Sequence, residues 1–402
     1  MPLLVSTDSF DDVIRSSRPA SAAFLPGIDR LLADDDRLDA LRHRRVGLLT
    51  HAACRTADGT QSAIALDDAL AGASKPGLAC LFAPEHGLAA DRQAGASVAD
   101  HRGGADGIEV VSLYGERQAP TPEHLDAIDI LIIDLRDVGV RCYTYATTAA
   151  IAAEAALNAE IDVIICDREN PLGPQIAGPS LEPGLRSFLA YFATPFVHGR
   201  TLGSLVADAL NEHPRSAGLT VISAQSGEAV NEGSFVPPSP ALQSRDAVQF
   251  YPGLVLFEGT NLSEGRGTPS SFCCIGAPWL NAAAAAAAAN NWSVGIAASA
   301  CDIEPVAGDY AGQTLPAIRF ERTGPKCDGF GLGVRLLAWI AGTQREFRWR
   351  TAPVMPLDPD SGDPAQAPSE RYVIDTLLGS DSLRKALDRG ERAEDIFALW
   401  NV

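Results

Sequence analysis

No stretch of the chain approaches the roughly 18 consecutive apolar residues of a membrane span, so no transmembrane segment is expected. Basic residues are scarce. Lys and Arg together number 32 against 51 Asp and Glu, a formal net charge of −19, and only three of the basic residues are lysines. So negative a chain is repelled by phosphate backbones and anionic lipid, which argues against nucleic acid and membrane surfaces as general partners. An anionic ligand would need a local basic pocket. The eight cysteines (54, 80, 142, 166, 273, 274, 301 and 327) contain no C-x-x-C spacing, so neither a zinc site nor a redox pair is expected. Several lie in apolar segments such as VIIC and LACLF, where a buried free thiol is the plain reading. The first 17 residues lack a basic stretch, a long apolar core and a small-residue cleavage site. The expectation is a cytoplasmic protein, or a periplasmic or secreted one if a leader has been removed. G-x-S-x-G and G-x-x-x-x-G-K-[ST] are both missing, and GFGLG (329–333) has neither the spacing nor the preceding strand of a dinucleotide fingerprint. No cofactor and no metal are expected.

What is present is ordinary globular composition, 46% hydrophobic and 21% charged, over 402 residues. At about 150 residues per domain, that length suggests two or three domains. Six short apolar runs, VGLLT (46–50), GLACLF (77–82), IEVVSLY (108–114), DILIIDL (129–135), DVIICD (162–167) and LTVIS (219–223), alternate with helical segments. Continuous apolarity marks strands buried on both faces, and the alternation predicts an α/β fold with a parallel sheet wrapped by helices. Helices are expected at 60–71, 121–127, 144–158 and 201–212, the last capped by Thr201. The Pro- and Ser-rich stretch 234–246 reads as a domain boundary. The glycine-rich segment from Tyr251 to Phe272 is expected to be non-helical, whereas the eight alanines of 282–289 form a helix. A polar loop, 352–369, precedes a helical C-terminus.

In an open parallel sheet, ligands bind beyond the carboxyl ends of the strands. Those ends carry His51; Glu85 and His86; Asp134, Arg136, Asp137, Arg141, Tyr143 and Tyr145; and Asp167, Arg168, Glu169 and Asn170. The later segment EGTNLSEGRG (258–267) sets Glu258, Asn261, Glu264 and Arg266 among glycines, as if its backbone were held close to a ligand. Each group also has a plainer role. Asp134 and Asp167 suit helix caps, His86 and His198 suit hydrogen-bonded structural histidines, and Glu258 and Glu264 suit ion pairs to Arg266. Glu85 fits a cap less well, because Pro84 and Gly87 frame it in a tight turn. Carboxylate pairs suit glycoside cleavage and arginines suit a substrate that carries a carboxylate, so a glycosidase acting on an acidic sugar is the leading reading.

The segments FAPEHG (82–87), QAG (93–95), SLYG (112–115), DLRDVGVRCYTY (134–145), DRENPLG (167–173), HGRTLG (198–203), YPG (251–253), EGTNLSEGRGT (258–268) and IGAPW (275–279) resemble, in order, those of the exo-acting β-N-acetylmuramidases of the NamZ type. The resemblance implies a Rossmann-like, mostly parallel catalytic domain, 1–245, and a smaller α+β auxiliary domain, 246–402, with the EGTNLSEGRGT loop reaching the cleft between them. It also implies release of N-acetylmuramic acid from the non-reducing end of peptidoglycan-derived glycans, with Glu85 as the acid. This chain departs from the family's common pattern at His51 and Ala52, at PSPALQS, at SSFCC and after Cys327, so the exact sugar and aglycone stay open.

On this reading Glu85, shielded in a cleft, donates a proton to the glycosidic oxygen. Asp137 or Glu264 is the second carboxylate, serving as base for water or orienting the 2-acetamido group. Arg141 and Arg266 are candidates for the lactyl carboxylate. Tyr143 and Tyr145 offer a stacking face, and His86, Asp134, Arg168, His198, Glu258 and Asn261 complete the expected binding set. A catalytically silent glycan-binding protein and a glycosidase for another 2-acetamido sugar are the alternatives.

Overall fold

The computed structural model describes residues 23–71, 77–89, 101–103, 108–115, 117–227, 235–292, 295–354, 357 and 370–400. The QAG segment and the first 17 residues lie outside these. The fold is α/β, centred on a seven-stranded sheet ordered Leu219–Ile222, Asp162–Cys166, Ile130–Ile133, Val46–Leu49, Leu78–Ala83, Ile108–Ser112 and His101–Gly103. The first six are mutually parallel and coincide with the six apolar runs, while His101–Gly103 adds an antiparallel edge that the sequence did not announce.

Successive strand residues point to opposite faces. Leu49, Phe82, Val111, Leu131, Ile133, Val163 and Ile165 enter one core, and Val46, Leu48, Leu81, Ile130, Ile132 and Ile164 enter another. Both faces are covered, which explains why the runs are apolar throughout instead of alternating. The helix Thr144–Asn158 has the predicted bounds and packs on the first face through Ala149, Ala150, Ala152, Ala153 and Ala156, all fully buried. Small side chains bring its axis close to the sheet, and its first residue emerges beside the strand ends. The helix Leu202–Ala209 is capped by Thr201, whose Oγ1 accepts from Ser204 N at 3.3 Å.

A second region carries a three-stranded antiparallel sheet, Cys274–Gly276, Leu315–Arg322 and Ile296–Ile303, flanked by the alanine helix Ala282–Trp292 and by Gly329–Thr343. One expectation is corrected here. The stretch from Tyr251 is helical, as the end of Arg245–Leu254 followed by a 3-10 turn over Val255–Gly259. Ser244 Oγ accepts from Ala247 N at 3.0 Å to start the helix, and Val248, Phe250, Tyr251 and Leu254 bury its apolar side. Gly253 serves as a contact: a Cβ there would lie 1.9 Å from Gly329 O, so its hydrogen lets two helices cross. GFGLG is thus the packing start of a helix. The C-terminus forms Val373–Leu378 and Ser382–Asp388, then a further helix, Ala393–Trp400. Among the described residues, no helix is long and apolar enough to cross a membrane.

Candidate active site

The strand Leu78–Ala83 leaves the sheet through Pro84 into a tight turn closed by Gly87 N donating to Pro84 O at 3.0 Å. His86 takes φ +72° and Gly87 φ +75°. A buried non-glycine residue in the left-handed region is strained, and such strain persists where the surroundings over-determine it. Glu85 is 7% exposed, and Thr144 Oγ1, at the start of the Thr144–Asn158 helix, donates to its Oε2 at 2.8 Å. Tyr114 also hydrogen-bonds Glu85; burial, then the Glu85 charge and that bond, push its phenol above the ordinary range.

Glu85 and His86 open onto a cavity of about 300 Å³, also lined by Tyr114, Cys142, Tyr143, Thr144, Ser239, Leu242, Tyr251, Glu258, Arg266, Phe272 and Leu377. The volume is at the lower end for small-molecule sites. Contributions come from both regions: strand ends on one side, and on the other the 239–242 stretch, the Arg245–Leu254 helix and the Glu258–Phe272 loop. Tyr143, Tyr251 and Phe272 form an aromatic wall, with Tyr143 5.9 Å from Tyr251 and Tyr251 4.9 Å from Phe272. The Tyr143 hydroxyl is buried beside the side chains of Ser239 and Tyr145.

Arg266 pairs with Glu258, reaches Glu264 Oε1 through Nε at 2.9 Å, and lies 5.0 Å over the Phe272 ring. Burial alone would lower its pKa; the two carboxylates more than offset that and raise it. Glu264 is pushed up to about 7, first by burial and then by the Glu258 charge, against the pull of Arg266. A carboxyl raised in the folded state favours folding fully below its ordinary value of 4.5, and that contribution is lost as the pH rises to about 7. Glu264→Gln removes this titration and is expected to flatten unfolding free energy against pH across that interval. An unchanged slope in urea melts would contradict it.

Of the expected site residues, Glu85, His86, Tyr143, Glu258 and Arg266 line the cavity, and the others are placed elsewhere. Arg168 grips Asp134 with Nε at 2.6 Å and Nη2 at 2.8 Å, and also donates to Arg55 O and Ser62 Oγ. The Arg141 guanidinium donates to the carbonyls of Thr194 and Leu378 and, at 3.4 Å, of Pro179. Asp137 Oδ2 accepts from Gly139 N at 2.8 Å and faces His198 Nε2 at 3.3 Å. Tyr145, fully buried, donates to Pro238 O at 2.8 Å. Asn261 ties its loop to Glu346 O and Arg348 N, each at 2.8 Å. In the same loop, Gly265 (φ +81°) and Gly267 (φ +76°) sit against Cys274 and Ala307, so the glycines serve close packing within the protein. Asp167 accepts from Gly203 N at 2.9 Å and so caps the Leu202–Ala209 helix.

Sequence reasoning passed over Tyr114, Thr144, Ser239, Tyr251, Phe272 and Leu377 in the cavity wall. Tyr114 follows the strand Ile108–Ser112, so the strand-end rule that pointed to Glu85 could have found it. Nothing local marks Leu377, which arrives from the C-terminal helices.

Residues 46–246 match the family described as "Exo-beta-N-acetylmuramidase NamZ, N-terminal" and residues 249–402 its C-terminal counterpart. "Peptidoglycan beta-N-acetylmuramidase NamZ" of Bacillus subtilis (strain 168) is 40% identical over 261 residues, which span 63% of this chain and 61% of that protein. The crystal structure of a DUF1343 family protein from Bacteroides fragilis superposes with a TM-score of 0.75 at 25% identity, covering 94% of this chain and 95% of the other. A second DUF1343 protein from that organism gives 0.66 at 24%, with 94% of each chain covered, and shows the shared fold. With both halves matched in order, the chain belongs to the exo-beta-N-acetylmuramidase NamZ family.

Proposed function

We propose that this protein is an exo-acting glycoside hydrolase that releases N-acetylmuramic acid from the non-reducing end of peptidoglycan-derived glycans, with Glu85 as its general acid. The observation that carries the reading is the Glu85 turn. A buried carboxyl, fixed by Thr144 and Tyr114 on a strained strand-end turn, opens onto an aromatic cavity between two regions, in a chain of this family. In this reading residues 1–245 form the catalytic unit and 246–402 the auxiliary one.

Glu85 protonates the glycosidic oxygen as the bond to the anomeric carbon breaks, and the oxocarbenium-like centre needs electron density from its other side. Glu258 is the other carboxylate in the described wall of the cavity, and Arg266 holds it. Glu264 stands behind that pair as the second carboxylate of the reading, positioning Arg266 and Glu258 toward the 2-acetamido group. Asp137, turned to Gly139 and His198, keeps the adjoining loop in shape.

The Tyr143 hydroxyl, in the cavity wall beside Ser239 and Tyr145, supplies a donor for the sugar. Losing its bond to substrate costs about 1 kcal/mol or more. Tyr143→Phe is expected to stay folded while kcat/KM falls roughly tenfold. A variant as active as wild type would remove Tyr143 from the reading.

The direct test is chromophore release from aryl β-N-acetylmuramide and aryl β-N-acetylglucosaminide. Turnover of the muramide in preference supports the proposal. Turnover of neither by folded protein points to a glycan-binding role and contradicts it.

A further inference from the structure

A glutamate carboxyl turns easily about its last torsion, whose preferences are broad and two-fold. A general acid must nevertheless present one oxygen to the glycosidic bond, and a displacement of about 1 Å can cost roughly a hundredfold in rate. The backbone turn at Pro84–Gly87 fixes where the Glu85 side chain starts, but not how its carboxyl lies. Two hydroxyls of the cavity wall meet that carboxyl, one from Tyr114 and one from Thr144. Thr144 Oγ1 donates to Oε2 at 2.8 Å, from a position 59 residues further along the chain.

A threonine within a helix commonly bonds back to a carbonyl of the preceding turn. Thr148 does so, its Oγ1 donating to Thr144 O at 3.1 Å. Thr144 is different: it is the first residue of the Thr144–Asn158 helix, and among the described residues its Oγ1 bonds Glu85 alone. Its β-branched side chain has few rotamers open to it in a helix. The helix itself is held by Ala149, Ala150, Ala152, Ala153 and Ala156, all fully buried in the core beneath the sheet. Thr144 is 5% and Glu85 7% exposed, so water has little access with which to compete for the bond. Oε2 is thereby tied to a rigid element, and the tie sets the plane of the carboxyl.

We infer that Thr144 is a positioning residue for the reaction: its hydroxyl sets the plane of the Glu85 carboxyl, and so the line along which the acid's proton passes to the leaving oxygen. The inference rests on the hydrolase reading and deepens it. Thr144 acts through Glu85, so its effect falls on proton donation and not on sugar binding. It therefore shows in kcat, and it grows with the leaving group's need for a proton. A threonine that merely starts a helix carries neither signature.

The test compares wild type, Thr144→Val, Thr144→Ser and Glu85→Gln, all in the full chain, by kcat and KM on two β-N-acetylmuramides. One carries a phenyl leaving group, which needs a proton, and the other a dinitrophenyl group, which does not. Thr144→Val keeps the branched shape and loses the hydroxyl. It is expected to lower kcat on the phenyl glycoside about thirtyfold and to change the dinitrophenyl rate less than about threefold, with KM for both within about twofold of wild type. Thr144→Ser, which restores the hydroxyl, is expected to recover most of the loss. The ratio of the two rates does not depend on how much of a variant is folded, so a destabilised Thr144→Val still reports. Equal losses on both glycosides, or no loss on either, would overturn the inference while Glu85→Gln, losing the phenyl glycoside selectively, upholds the reading beneath it. A Glu85→Gln variant as active as wild type on the phenyl glycoside would overturn that reading, and the inference with it.

Discussion

Replacing Glu85 by glutamine is expected to leave the protein folded and to lower turnover of a glycan substrate about a thousandfold, within the range typical of a lost general acid. Glutamine keeps the shape of the side chain and an amide oxygen that accepts from Thr144 Oγ1, which now meets Glu85 Oε2 at 2.8 Å. The turn at Pro84–Gly87 is closed by backbone, so it does not depend on the carboxyl. What glutamine lacks is a proton acidic enough to follow the leaving oxygen. The loss should therefore scale with the aglycone: large for a sugar leaving group, small for a dinitrophenyl group that departs without protonation. Equal losses on both would mean that Glu85 does something other than donate a proton.

The second large effect concerns stability. Arg168 is 8% exposed and Asp134 not at all, and the two form a bidentate pair at the end of the central strand. Arg168→Met would leave the Asp134 carboxylate buried without its counter-charge and would also strip donors from Arg55 O and Ser62 Oγ. Breaking a buried pair from one side costs roughly 3–5 kcal/mol, whereas replacing both partners with apolar groups is close to neutral. The single variant is expected to unfold at a distinctly lower urea midpoint, and Arg168→Met combined with Asp134→Leu to recover most of the difference. A single variant as stable as wild type would mean that water reaches Asp134.

The sequence made the parallel sheet plain because its strands are buried on both faces: VGLLT or DVIICD has no solvent side to record. The helix Thr144–Asn158 was equally plain, since an alanine-rich run with no glycine or proline has little alternative. Arg245–Leu254 was hidden because Pro252 and Gly253 look like breakers, and only the contact of Gly253 with Gly329 explains why glycine stands there. Glu85 was legible as a carboxylate framed by Pro84 and Gly87 at a strand end. What sequence does not record is how a polar group's bonds are used. Arg141 and Arg136 look alike in DLRDVGVR, yet one guanidinium is bound to backbone carbonyls and the other has no partner among the described residues. Nor does it record which distant residues close a cavity: Tyr251, Phe272 and Leu377 share its wall with Tyr143 only through the packing of the second region against the first.

Exo-acting muramidase activity shows itself when the protein is offered two otherwise identical peptidoglycan oligosaccharides, one ending in N-acetylmuramic acid at the non-reducing end and one capped there by N-acetylglucosamine, and the products are followed by mass spectrometry. Free N-acetylmuramic acid is expected from the first and no cleavage of the second. Disaccharides from internal cleavage, or free N-acetylglucosamine from the capped chain, would contradict it.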